Sequence, residues 1–134
     1  MSMSDETDRT DAAERRQRLS RLGRILFGLG IALQASEDFR EMEETVEYAE
    51  SADVPLPGLA APLGSGTALL GGLGVATWRL PKLATGAVVT FLAVVTPTMH
   101  DFWNKEDAGG ERLAFFGNLA MFGAAIAFFR EAYR

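Results

Sequence analysis

Few side chains in this 134-residue chain could do chemistry, and most of them fall into two short clusters. One is His100-Asp101-Phe102-Trp103, and the other is Gln34-Ala35-Ser36-Glu37-Asp38. In a helix, Gln34 shares a face with Glu37 at three-residue spacing and with Asp38 at four. Asn118, about one turn into a later apolar run, can point toward the same layer. An imidazole beside a carboxylate takes up and releases protons near neutral pH, so His100 with Asp101 is a candidate proton-handling pair.

Three chemistries compete for these residues. A quinone headgroup could hydrogen-bond to His100 and Gln34, stack near Trp103, and exchange protons with Asp101 or Glu37. His100 could serve as an axial haem ligand, but a second ligand or a partner subunit is then required. The cluster could also hold one divalent metal with carboxylates and a single imidazole. A plainer reading stands beside all three. Tryptophan and histidine commonly anchor a chain at a membrane boundary, and acids beside them face water.

Composition removes many other chemistries. The chain has no cysteine, which excludes disulfides, thiolate metal sites and cysteine nucleophiles. His100 is the only histidine, so one copy cannot build a multi-histidine site. The acidic run from Glu37 to Asp53 lacks the spaced ligands and turn glycine of a calcium loop, and reads as a solvated face. The glycines at 71, 72 and 74 lack dinucleotide-binding spacing and follow no strand. The basic leader is short and carries five acids, giving no support to nucleic-acid binding.

The elements that must position these residues are set by how charge is distributed. Residues 1–55 hold 20 of the 31 charged groups, and the other 11 are bunched at 79–82, 101–112 and 130–134. Between the bunches lie Leu59–Trp78, Leu83–Met99 and Leu113–Phe129, each seventeen to twenty residues without a charge. At about 1.5 Å per residue such helices cover roughly 25–30 Å, close to the hydrocarbon thickness. Lipid obliges each segment to satisfy its own backbone, so helix is the default, and Pro97 predicts a kink near the end of its span. A fourth segment is shorter in its uncharged core, Ile25–Ser36. Arg21 and Arg24 can snorkel at one end while Glu37 and Asp38 reach headgroups at the other, which extends it to 22–38. Arg15-Arg16 before this stretch loosely resembles a twin-arginine export signal, but three further spans follow it.

The spans are therefore expected near 22–38, 58–78, 83–99 and 113–129, after a polar, disordered leader over 1–18. Ten of the thirteen basic residues fall between 9 and 24, in the 79–82 turn and in the tail, which puts both termini on the cytoplasmic side. Phe39, Met42, Val46 and Ala49 recur at helical spacing within the outer acidic loop. They predict an amphipathic helix there that stops before Val54-Pro55-Leu56-Pro57. Ala60, Gly64, Ala68, Gly72 and Ala76 draw a small-residue stripe down the second span. Gly28, Ala32 and Ser36 repeat it on the first, and Ala120/Ala124 and Gly123/Ala127 on the fourth, for close helix packing or for oligomers. Arginine outnumbers lysine eleven to two in an acidic, alanine- and glycine-rich chain, a composition that suits a salt-loving organism.

The order of features resembles the DoxX-like membrane proteins. The resemblance rests on Arg24-Ile25-Leu26-Phe27-Gly28-Leu29-Gly30, the outer loop ending in Pro55 and Pro57, and the glycine-rich second span with its basic turn. It continues through His100-Asp101-Phe102-Trp103 and Asn118-Leu119-Ala120-Met121-Phe122-Gly123, covering about residues 22–129. It implies an all-α, four-helix membrane bundle associated with quinol-linked sulfur oxidation or with oxidoreductase complexes of oxidative-stress defence. Many relatives carry a lysine near the end of the first span, where this chain has Gln34 to Asp38, so no lysine role carries over. The expectation is an accessory or subunit of a quinone-linked redox system, its site built from His100, Asp101, Trp103, Gln34, Glu37 and Asn118. Partners would be the lipid bilayer, redox subunits and other copies of the chain. The alternative is a membrane scaffold or small-molecule transporter without a redox role.

Overall fold

In the computed structural model, residues 2–99 and 109–134 are described, and their regular structure is helical. There are five helices: α1 (Met3–Arg40), α2 (Met42–Ser51), α3 (Pro57–Thr77), α4 (Pro81–Met99) and α5 (Gly109–Ala132). Three of them, α3, α4 and α5, contain apolar stretches of 21, 18 and 21 residues, long enough to cross a bilayer.

α1 departs from the expected boundary. Residues 3–18, expected as a disordered leader, are the first turns of the same helix that carries the apolar segment 22–38. No glycine or proline interrupts them, alanine, arginine and glutamate favour helix, and Asp5 and Glu6 complement the positive end of the helix dipole. Their side chains are exposed.

One residue, Glu41, separates α1 from α2. The Thr45 hydroxyl stitches the corner by donating to the carbonyls of Glu41 and Asp38, at 3.1 and 3.2 Å. α2 is the amphipathic helix expected in the acidic loop. It buries Ala49, turns its glutamates outward and ends before the proline pair. Phe39 belongs instead to the last turn of α1. Pro57 opens α3, where a missing N–H costs nothing. Helix α4 continues through Pro97 to Met99.

Packing follows chain order. α3 lies between α1 and α4, and α5 packs on α4 while touching α1 only lightly. Neighbours run antiparallel, since Gly28 meets Gly72, Gly71 meets Val88, and Gly86 meets Phe129. The closest approach is between α1 and α3. A Cβ added at Gly28 would stand 2.5 Å from the Gly72 carbonyl oxygen, and one at Gly72 would stand 2.7 Å from that of Gly28. Only glycine admits backbones this close, as the small-residue pattern implies.

The stripe does not stay on one face. Four residues turn a helix by about 400°, so each step drifts about 40°. Ala68 and Gly72 face α1, whereas Gly64 has wound round to the Phe91 ring of α4, 3.7 Å from an added Cβ. On α5 the expected pairs point away from the chain. Ala120 and Ala127 are exposed, Gly123 has nothing near it, and Ala125 is the residue buried.

Two small clusters make the core. Val75, Ala84, Val88, Leu92 and Ala125 join α3, α4 and α5, and Ile31, Ala35 and Ala68 join α1 to α3. Phe27, Phe91 and Met121 pack against both. Leu26, Leu29 and Leu33 on α1, and Leu63, Leu70 and Leu73 on α3, are exposed, the surface a hydrocarbon solvent calls for.

Candidate functional site

At the end of the molecule where α1 finishes and α3 begins, helices α1, α4 and α5 leave a cavity of about 510 Å³. Gln34, Glu37 and Asp38 reach it from α1, and Asn118 from α5. Three of the six expected site residues, Gln34, Glu37 and Asn118, therefore line one space. His100, Asp101 and Trp103 lie outside the described residues.

The rest of the lining is apolar: Ile31, Ala35, Phe91, Leu92, Val95 and Met121 are among it. Such a space suits a flat, largely apolar molecule whose few polar atoms meet the amides and carboxylates at one end. Among the described residues no hydrogen bond engages the side-chain amide of Gln34 or of Asn118. Each amide carries N–H donors of the kind a ligand carbonyl accepts.

The two carboxylates differ. Glu37 is at the rim, 63% exposed, and pairs with Arg40 one turn later at 3.2 Å. Water screens such a pair, and it contributes little stability. Asp38 is half-buried between α1 and α3, and its Oδ2 accepts a hydrogen bond from the Ser65 hydroxyl at 3.0 Å. Asp38 is thus the acidic group held in a fixed position, and Glu37 the one free to exchange with solvent. Among the described residues no three carboxylates or imidazoles gather closely enough to hold a cation, so the metal reading would need His100 or Asp101.

Ser65 was not legible as a site residue. A signal existed: with Ala61, Ala68 and Gly72 it completes the buried, helically spaced face of α3, and a serine there needs a polar partner. Phe91 and Met121 were missed because an apolar residue in an apolar span carries no mark of lining a cavity.

The opposite end of the molecule has its own contacts. The Arg24 guanidinium lies 4.9 Å from the centre of the Trp78 ring, and the Lys82 ammonium lies 4.9 Å from that of Tyr133. The Ser20 hydroxyl donates to the Glu131 carboxylate at 3.2 Å. Trp78 caps α3 in the left-handed region at φ 57°, a position that usually selects glycine. The indole thereby folds back to meet Arg24.

Long apolar helices, leucines turned outward and glycine-mediated contacts define a small, all-helical membrane protein. The DoxX family model matches residues 19–101, more than half of the chain. The chain belongs to the DoxX family. No curated protein and no solved structure matches it.

Proposed function

We propose that this DoxX-family protein is a subunit or accessory of a quinone-linked membrane redox system, holding a quinone headgroup in the cavity between α1, α4 and α5. The observation that carries the reading is the convergence of Gln34, Asp38 and Asn118 on one otherwise apolar space. The amides donate to the ring carbonyls of the oxidised form. A carboxylate accepts from the hydroxyls of the reduced form, with Glu37 at the rim passing protons to water. Phe91 and Met121 supply apolar walls for the ring. His100, Asp101 and Trp103 follow α4 directly in sequence and would complete the same end. Electron-carrying groups come from a partner, since one chain without cysteine and with a single histidine has few ligands for its own.

In this reading the apolar part of α1, 22–38, is a fourth span, and α1, α3, α4 and α5 form a four-helix bundle. The leucines exposed along α1 and its contact with α3 through Gly28 support that placement. Both termini lie on the cytoplasmic side, where the basic residues are concentrated, and α2 lies at the outer surface. The outward-facing small residues of α5 suit contact with a partner subunit or another copy.

The test is extraction in a mild detergent followed by mass spectrometry of copurifying lipid. The wild type retains a quinone, and Asn118→Leu or Gln34→Leu loses it while keeping its fold. A wild-type preparation that stays quinone-free when quinone is supplied overturns the reading, and the scaffold or transporter alternative then stands.

A further inference from the structure

Asp38 also borders a second cavity, which shares the Phe91 and Val95 walls with the first and has no part in the quinone reading. This space, about 340 Å³, lies between α2, α3 and α4. Asp38 is the sole ionisable group among the described residues lining it. Ser65, Thr45, Thr67, Thr90 and Thr98 bring hydroxyls, and the remaining lining is apolar, with Val54, Leu63, Phe91, Val94 and Val95 prominent.

Two features set what such a space can hold. The first is an unbalanced charge. Asp38 receives the Ser65 hydroxyl, but among the described residues no cation stands against it, because Arg40 is paired with Glu37. A carboxylate can accept about four hydrogen bonds, so most of its capacity is unspent. A half-buried anion without a counter-charge is costly, and a cationic ligand would relieve that cost. Glu41 and the acids of α2 (Glu43, Glu44, Glu47 and Glu50) add to the negative field, which draws cations and repels carboxylates. The second feature is the mouth. Leu63 and Val94, 62% and 58% exposed, stand at its edge on α3 and α4, two of the three helices that have bilayer-spanning length.

We infer that the α2–α3–α4 cavity is a second binding site, taking amphiphiles with a protonated amine head and a saturated hydrocarbon tail. The ammonium sits against Asp38 and the threonine hydroxyls, and the tail leaves between Leu63 and Val94 into lipid. An alkylamine stays charged at neutral pH, as the lysine ammonium does with its pKa of about 10.4.

The test uses the full chain in an uncharged maltoside detergent, with decylamine, decanol and decanoate as probes and native mass spectrometry to count what is bound. The wild type takes up one decylamine, binds decanol more weakly and excludes decanoate. Asp38→Asn, which keeps an acceptor for Ser65, weakens decylamine binding about tenfold or more. Gly64→Leu fills the space from α3, and Val94→Trp blocks its exposed edge, so each abolishes uptake. Asn118→Leu, on the other cavity, leaves it unchanged. Circular dichroism confirms that each variant is folded. Equal uptake of decanoate and decylamine, or decylamine uptake indifferent to Asp38→Asn or to both blocking variants, overturns the inference. Quinone retention is read separately through Asn118, so failure of one site does not imply failure of the other.

Discussion

The Ser65 hydroxyl donates to the Asp38 carboxylate across 3.0 Å, tying the end of α1 to the first half of α3, 27 residues further on. It is the described side-chain hydrogen bond that links those two helices, and Asp38 stands between the two cavities. Ser65→Ala leaves a half-buried carboxylate without its donor. Thermal unfolding in detergent should show a loss of about 1 kcal/mol, at the upper end of hydrogen-bond contributions in membrane proteins. Ser65→Thr, which keeps the hydroxyl, should lose less. Equal stability of the wild type and Ser65→Ala would show that the bond contributes nothing.

The contact of Gly28 with Gly72 predicts a sharp contrast between glycines of one helix. A methyl group at Gly28 meets backbone, which cannot swing aside, so Gly28→Ala should cost about 3 kcal/mol, the upper range for overpacking, or separate α1 from α3. Gly30 has nothing within 4 Å of an added Cβ. Gly30→Ala should therefore be neutral or stabilising by about 0.5–1 kcal/mol through helix propensity. Melting curves of the two variants in the same detergent decide it.

Trp78 and Arg24 form the corresponding tie at the other end. The Nε of Arg24 is buried without a hydrogen-bond partner among the described residues, so the indole face is its principal neighbour. Trp78→Leu should destabilise by about 1–2 kcal/mol, the range for a desolvated cation–π contact, and Trp78→Phe by less. A melting temperature unchanged in Trp78→Leu would remove the contact from the account of stability.

The absence of native cysteine makes the proposed sidedness directly measurable, because each introduced thiol reports alone. Ser51→Cys, at the end of α2, should react with a membrane-impermeant maleimide in intact cells or spheroplasts. Ser4→Cys, near the start of α1, should react only after permeabilisation. The reverse pattern would invert the orientation, and the proposed outer site with it.

Three of the four expected spans were legible as helices of bilayer-spanning length because charge is excluded from them. Runs beginning near 58, 83 and 113 lie inside α3, α4 and α5, and the 22–38 segment lies inside α1. Helix α2 was legible from Met42, Val46 and Ala49, and its end from the following prolines. The leader was not: acids, arginines and alanines read equally as disordered chain or as exposed helix. The every-fourth-residue stripe marked the Gly28–Gly72 approach, yet four residues overshoot a turn, so it could not say which neighbour each member meets. Gln34, Glu37 and Asn118 could be grouped because polar residues near the ends of apolar spans stand out. The fixed position of Asp38 depended on Ser65, which reads as one more small residue in a run of alanine and glycine.

The attachment of α5 has a consequence for traffic. Among the described residues only 6% of its apolar stretch is buried, against 33% for α3, and its ties to α1 are few, chiefly Ser20 to Glu131 and Phe27 to Phe128 with ring centres 5.3 Å apart. Swinging α5 outward about α4 would sever little and leave the glycine seam between α1 and α3 intact. A planar guest could then slip in sideways from the membrane interior, with α5 as a hinged door and Asn118 on its inner panel.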